Sequence, residues 1–209
     1  MDILDQLQWR YATKKFDSAR KLEESQLRRI LEGVRWSASS LGLQAWKIVV
    51  VETESLREEI KTHSWNQSQV TDASHLLILC RQEEVEATDV EEMVDLMANT
   101  RSVSTDSLTG YANMIHGYLK GLSAEQQAVW LDHQVYLALG NLLTVCAAEG
   151  VDACPIEGFA PAEIDRILDL PAEGLRSTVM CPIGFRDESD ELAQQAKVRK
   201  PLSTIIIRK

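Results

Sequence analysis

The sequence predicts an α+β layered fold. Short apolar or β-branched runs of strand length at residues 46–51, 76–80 and 176–185 are interspersed with helical periodicities. No βαβ rhythm repeats, which argues against a doubly wound parallel sheet. One long segment, residues 129–148, is apolar over most of its circumference and must be buried in a core or between subunits. At 209 residues the chain suits one domain with a sizeable core. A net charge of −10 argues against nucleic acid or an anionic membrane as the main partner. No apolar run approaches the roughly 20 residues that span a bilayer. The start, Met1-Asp2-Ile3-Leu4-Asp5, lacks the basic-then-apolar order of a signal peptide, so the expected location is cytoplasmic.

Taken in order, residues 2–9 read as a short amphipathic helix. Irregular backbone follows at 10–16, where Arg10, Lys14 and Lys15 stand close together; a solvated loop is the simplest reading of that cluster alone. Leu27, Ile30, Leu31 and Val34 then have helical spacing, ending near Trp36. The turn Ser37-Ala38-Ser39-Ser40-Leu41-Gly42-Leu43-Gln44 leads into the first strand. Its hydroxyls serve either the turn itself or a ligand. Residues 55–63 read as a helix, and the apolar run at 76–80 as a central strand. Residues 83–95 are acidic and read as a solvated helix. Weak periodicity and small residues at 99–121 suggest a mobile excursion over a site.

After the long apolar helix comes Asp152-Ala153-Cys154-Pro155-Ile156-Glu157-Gly158-Phe159, an odd connector because it is apolar. Pro155 removes one backbone donor, and Gly158 lets another group come close to the main chain. Such a turn can aim the amides of Glu157 and Gly158 at a flat ligand; it can equally be a buried helix–helix corner. Pro161 opens the next helix. Pro182 in the third strand suggests a strand end or a bulge. The chain closes on Ile205-Ile206-Ile207, a final apolar strand in need of a sheet edge, its own or a partner's.

Cys80, Cys146, Cys154 and Cys181 lie in apolar surroundings without close spacing, and His63, His75, His116 and His133 are scattered. Buried free thiols and no metal site are expected. The chain holds no G-x-G-x-x-G, no G-x-x-x-x-G-K-[ST] and no G-x-S-x-G.

The landmarks together resemble the FMN-dependent nitroreductase family, in particular its oxygen-insensitive NAD(P)H nitroreductase and dihydropteridine reductase branch. They run in one order: Arg10 to Phe16-Asp17; Trp36-Ser37-Ala38-Ser39-Ser40 with Gln44 and Trp46; Asn66; Asp72-Ala73-Ser74-His75; Gln134-Val135-Tyr136-Leu137 with Gly140-Asn141; Pro155-Ile156-Glu157-Gly158-Phe159; and Lys197 with Arg199. The resemblance implies a three-layer α-β-α sandwich with a mixed, mainly antiparallel sheet. It also implies a domain-exchanged homodimer with FMN sites at the interface. Residues 83–122 would be a variable excursion, and 197–209 an extension onto the partner.

By the same resemblance Arg10, Lys197 and Arg199 would hold the FMN phosphate, with Tyr11, Ala12 and Thr13 beside it. Lys14 would stabilise negative charge on the reduced ring. Asn66 and Gln69 would meet the pyrimidine edge, and Ser37, Ser39, Ser40 and Gln134 would reach across from the second subunit. Glu157 and Gly158 would offer backbone amides near N5, with Pro155 and Ile156 packing on the ring. Leu41, His63, Trp65, Ile115 and His116 are candidates to line the open face, and Arg101 or Lys120 to meet a nicotinamide cofactor's 2′-phosphate. Ala12, Gly42 and Gln69 depart from the serine, asparagine and lysine of relatives, and Gln69 is expected to lower the FMN potential. The implied activity is ping-pong hydride transfer from NAD(P)H to nitroaromatics, quinones or similar planar acceptors. Dihydropteridine or flavin reduction, and a non-catalytic flavin-binding role, are the alternatives.

Overall fold

The structure, a computed structural model, describes residues 2–209; Met1 of the acidic start lies outside them. Its centre is an antiparallel sheet of order β1-β2-β4-β3, formed by β1 (Trp46–Val51), β2 (His75–Gln82), β3 (Asp152–Ala153) and β4 (Leu175–Gly184). Strand side chains alternate between faces. Leu77, Leu79, Val179, Cys181 and Ile183 therefore meet one helical layer, and Leu76, Ile78, Cys80 and Met180 the other. This is why residues 76–80 are apolar without alternation: β2 is covered on both sides.

The first layer is α2 (Glu24–Arg35) and α7 (Ala124–Ala148); the second is α3 (Glu54–Thr62), α4 (Gln69–Asp72) and α8 (Pro161–Ile167). Leu27, Ile30 and Val34 bury the inner stripe of α2. Gly33 lets that helix lie close to α7, since a Cβ there would stand 2.8 Å from both methyls of Val145. Ser123 and Gln126 form a capping box that fixes the start of α7. The expected three-layer sandwich is thus present, and among the described residues its one parallel pairing is the isolated bridge between Ala12 and Ala153.

Several expectations change. Pro182 neither ends its strand nor makes a bulge; it sits opposite Leu76 inside β4, and its carbonyl accepts from the Cys154 amide. The register instead shifts between Leu79 and Cys80, opposite Val179 and Ser177, so Thr178 is the extra residue. The acidic helix is α5 (Ala87–Arg101); it buries Val90, Val94 and Ala98 and keeps its carboxylates outside. Residues 99–121 are not irregular. They continue α5, make a short turn at Thr105–Leu108 and form α6 (Thr109–Lys120), whose Ile115 completes a third cluster with Ala45, Val85, Val90, Val94 and Leu131.

A helix apolar on one side only would need no partner beyond the sheet; α7 is different. It buries Leu131, Val135, Ala138, Leu142 and Cys146 against the sheet, yet leaves Val129, Leu137 (52% exposed) and Gly140 bare on its other side. The carboxy-terminal strand is absent from the single chain. Leu202–Ile205 make one helical turn, α9, and Ile207 is 83% exposed, with no strand pairing to this segment among the described residues. No helix among the described residues is long and apolar enough to cross a membrane.

Candidate functional site

The loop that follows α1 (Ile3–Trp9) is irregular because it is shaped by one carboxylate. Asp190 accepts from the amides of Lys14 and Lys15 at 2.8 and 3.1 Å and from the Tyr11 hydroxyl at 2.8 Å. Burial works to raise the Asp190 carboxyl, but these donors outweigh it and hold it below its ordinary value. Tyr11 is pushed well above its ordinary value, first by burial and then by its bond to Asp190. A second carboxylate, Asp152, is buried and pairs with Arg186 at 2.6 Å, with the Thr13 hydroxyl at 3.3 Å. Arg186 in turn lies 4.1 Å from the Trp9 ring centre and 4.7 Å from that of Tyr11. Asp190 and Arg186 sit far from this loop in sequence and escaped the sequence reading.

The cations named from the sequence gather at this end. Lys197 and Arg199 line a cleft of about 620 Å³ with Arg186, Trp9, Gln8 and Leu7. A smaller cleft of about 240 Å³ is lined by Tyr11, Ala12, Lys14 and Lys197. The Lys197 ammonium donates to the Gln8 carbonyl. It is held below its ordinary pKa by burial and by Arg10, Arg199 and Arg186. Arg10 contributes a buried Nε that has no hydrogen-bond partner among the described residues. Buried, unpartnered guanidinium N–H groups are costly and call for an anion.

From that cationic end a strip of backbone runs to the second half of the site. Ala12 bridges Ala153, Cys154 bonds Pro182, and Ile156 exchanges both backbone bonds with Met180 at 2.8 and 3.0 Å. Burial raises the Cys154 thiol above its ordinary value, so it stays protonated and inert. Beyond Ile156 the ladder stops. The amides of Glu157 and Gly158 donate to no described residue, although Gly158 is half-buried. Two adjacent free donors in a partly enclosed turn match one of the two readings of the odd connector.

The turn is enclosed by the bend after α3. Trp65 and Asn66 both adopt left-handed backbone, at φ of 53° and 54°. Each such non-glycine residue costs roughly 1–3 kcal/mol, and strain of this kind collects at ligand sites. The bend lays the Trp65 ring on Gly158: a Cβ at Gly158 would come within 2.3 Å of Cζ3. That contact, rather than a positive φ, is why glycine stands there. Trp65 is otherwise 77% exposed, with Asn66 beside it. His63, half-buried, offers its carbonyl to the Ala160 amide at 2.9 Å. Gln69 is buried at the start of α4.

Other predicted residues lie elsewhere in the single chain. Ile115 is fully buried within the α5–α6 cluster and lines no open face, which corrects its assignment as a substrate contact. His116 is half-buried on the same helix. Leu41 is left-handed at φ 57°, and its carbonyl accepts from the Tyr111 hydroxyl at 2.9 Å. Gln134 is buried and spends its amide at home, accepting from the Ser40 amide at 2.7 Å and donating to the Trp130 carbonyl at 2.9 Å. The Ser37 hydroxyl bonds the Val34 carbonyl and receives Asn141, while the Ser39 hydroxyl receives the Gln44 amide. Ser37, Ser39, Ser40 and Gln134 therefore brace a turn that does not line the clefts at Lys14 and Lys197.

Comparison with known proteins gives a consistent assignment. The model of the Nitroreductase family matches residues 7–185. A Bacillus subtilis protein named "Putative NAD(P)H nitroreductase YfkO" is 37% identical over 201 residues, covering 88% of each chain. Among solved structures, a nitroreductase-like protein from Streptococcus mutans superposes with a TM-score of 0.86 at 24% identity, covering 99% of this chain and 97% of that one. An Exiguobacterium sibiricum protein solved in complex with FMN gives 0.85 at 19% identity, covering 100% and 98%.

Proposed function

This chain belongs to the nitroreductase family, and we propose that it is an FMN-dependent oxidoreductase that takes hydride from NAD(P)H and passes it to a planar acceptor such as a nitroaromatic or a quinone. The observation that carries this reading is the pair of free amides at Glu157 and Gly158. The unpartnered Nε of Arg10, amid Lys197, Arg199 and Arg186, fits the phosphate end of the same cofactor. When bound, FMN supplies the hydride chemistry itself.

The chain's own residues then have separable tasks. Arg10, Lys197 and Arg199 bind a phosphate, and Tyr11, Ala12 and Thr13 form the wall next to it. Lys14, presented by the Asp190 clamp, brings a positive charge to the ring's pyrimidine side, where Asn66 and Gln69 supply neutral amides. Glu157 and Gly158 point backbone donors at the ring edge, and Pro155 and Ile156 pack behind it. Trp65 and His63 border the open side, where NAD(P)H and the acceptor take turns in a ping-pong sequence; Leu41 and His116, which lie elsewhere in the single chain, would reach it only from the second subunit. No side-chain acid or base is required of this arrangement.

The bare side of α7 and the unpaired Ile205-Ile206-Ile207 tail support an obligate homodimer, with Ser37, Ser39, Ser40 and Gln134 of one subunit facing the cofactor of the other. Dihydropteridine or flavin reduction would use the same binding residues. The purified protein decides: a yellow dimer bleached anaerobically by NADH or NADPH, then reoxidised fastest by its preferred acceptor in stopped flow, supports the proposal. A colourless chain that takes up no FMN would defeat it.

A further inference from the structure

The bend at 64–67 and the amide turn at 157–158 are joined by one side chain. Gln67 Nε2 donates to the Ser64 carbonyl at 3.0 Å and to the Gly158 carbonyl at 2.9 Å. Ser64 is fully buried and anchored, its hydroxyl on the Ile60 carbonyl at 2.8 Å. The Gln67 amide therefore ties a rigid point at the end of α3 to the residue whose N–H is free and whose Cα carries the Trp65 ring. Both residues between the anchor and Gln67 are left-handed, a conformation that needs external contacts to persist. The Trp65 ring is mostly in water and is not held by burial.

We propose that Gln67 is a positioning residue: it locks the Trp65 bend onto Gly158 and thereby fixes how wide the acceptor space beside the two free amides is. The inference rests on the cofactor reading above. Gln67 touches neither cofactor nor acceptor; it acts through Trp65. A carboxylate at 67 could not do this, because both partners are carbonyl acceptors and only an N–H donor satisfies them.

The test compares the wild-type holoenzyme with Gln67→Met, Gln67→Glu, Trp65→Ala and the Trp65→Ala/Gln67→Met double variant. Acceptor choice is read as the ratio of kcat/KM for a two-ring quinone, menadione, to that for one-ring benzoquinone. The expected result is a change of about tenfold in that ratio for both Gln67 variants, with FMN affinity within about twofold of wild type. In the Trp65→Ala background the second substitution should change the ratio no further. On the FMN-free protein, the near-ultraviolet circular dichroism contributed by Trp65, wild type minus Trp65→Ala, should weaken in Gln67→Met. An unchanged ratio with an intact Trp65 signal overturns the proposal. So does an equal effect with and without Trp65, or failure of both Gln67 variants to fold, which would make the tie a folding contact. Wild-type protein that binds no FMN would instead defeat the cofactor reading, while the dichroism still reports on the clamp.

Discussion

The Tyr136 hydroxyl donates to Glu157 Oε1 across 2.5 Å, joining the exposed side of α7 to the turn that carries the two free amides. This gives the Glu157 side chain a task separate from its backbone. Burial, and then the neighbouring carboxylate, push Tyr136 up to about 12. Its raised pKa means that the folded state holds this proton more tightly than the unfolded chain does. The associated stability is complete below the ordinary value of 10.0 and is lost as pH rises through about 12. In a phenolate absorbance titration, Glu157→Gln should bring the Tyr136 step back toward 10.0, and Tyr136→Phe should delete it. A step that stays put in Glu157→Gln would sever the link between these two residues.

Gly158→Ala should be far more damaging than its one added methyl suggests. The new Cβ would overlap the Trp65 ring at Cζ3 and Cε3, 2.3 and 2.5 Å away, so the ring must leave. Overpacking of this sort costs about 1–3 kcal/mol. FMN occupancy after purification should drop, and Trp65→Ala in the same chain should restore it. If Gly158→Ala binds FMN like wild type, the Trp65 ring does not constrain position 158.

Asp190→Asn keeps the shape of the clamp but removes the charge that draws in the amides of Lys14 and Lys15 and the Tyr11 hydroxyl. Charge-assisted bonds of this type contribute about 1.5–3 kcal/mol each in mutational series. Because the folded carboxyl lies below its ordinary value of 3.8, its contribution is present above that value and lost as pH falls through the folded one. Acid unfolding followed by circular dichroism should therefore be shallower in Asp190→Asn, whose neutral-pH stability is lower from the outset. Superimposable acid transitions would argue that Asp190 is dispensable to the loop.

Gln69→Lys is expected to raise the midpoint potential of bound FMN, since an ammonium near the pyrimidine side favours the extra negative charge of the reduced ring. The position is buried at the start of α4, so the added charge has little water to screen it. Spectroelectrochemistry measures this directly. An unchanged or lower potential would remove Gln69 from the list of residues that tune the flavin.

What was legible in the sequence was local. Leu27, Ile30 and Val34 announce α2 by spacing alone, and residues 76–80 announce a strand covered on both faces. The Pro155–Gly158 stretch was conspicuous because an apolar connector is unusual, and its amides proved to be free. Contacts between distant segments left no such trace: Tyr11 and Asp190 stand 179 positions apart, and Asp190 lies in an acidic run that reads as solvated surface. Ile115 was placed on the open face by resemblance alone, in the stretch where the resemblance is weakest, and nothing in its spacing showed that it fills the α5–α6 cluster with Tyr111, Ala112 and Leu119 against it. Gln67 looked like one more polar residue in Trp65-Asn66-Gln67-Ser68, and only the carbonyls that it faces distinguish it.

The donors at 157 and 158 belong to the main chain, and this changes what mutation can do to them. Nearly every side chain can be exchanged at Glu157 without erasing its N–H, so variation there reshapes the neighbourhood while the hydrogen-bonding signature persists. Proline alone deletes a donor outright. A library randomised at 157 should therefore yield a broad set of cofactor-binding variants with one sharp gap, whereas at 158 the Trp65 ring leaves room for glycine and little else.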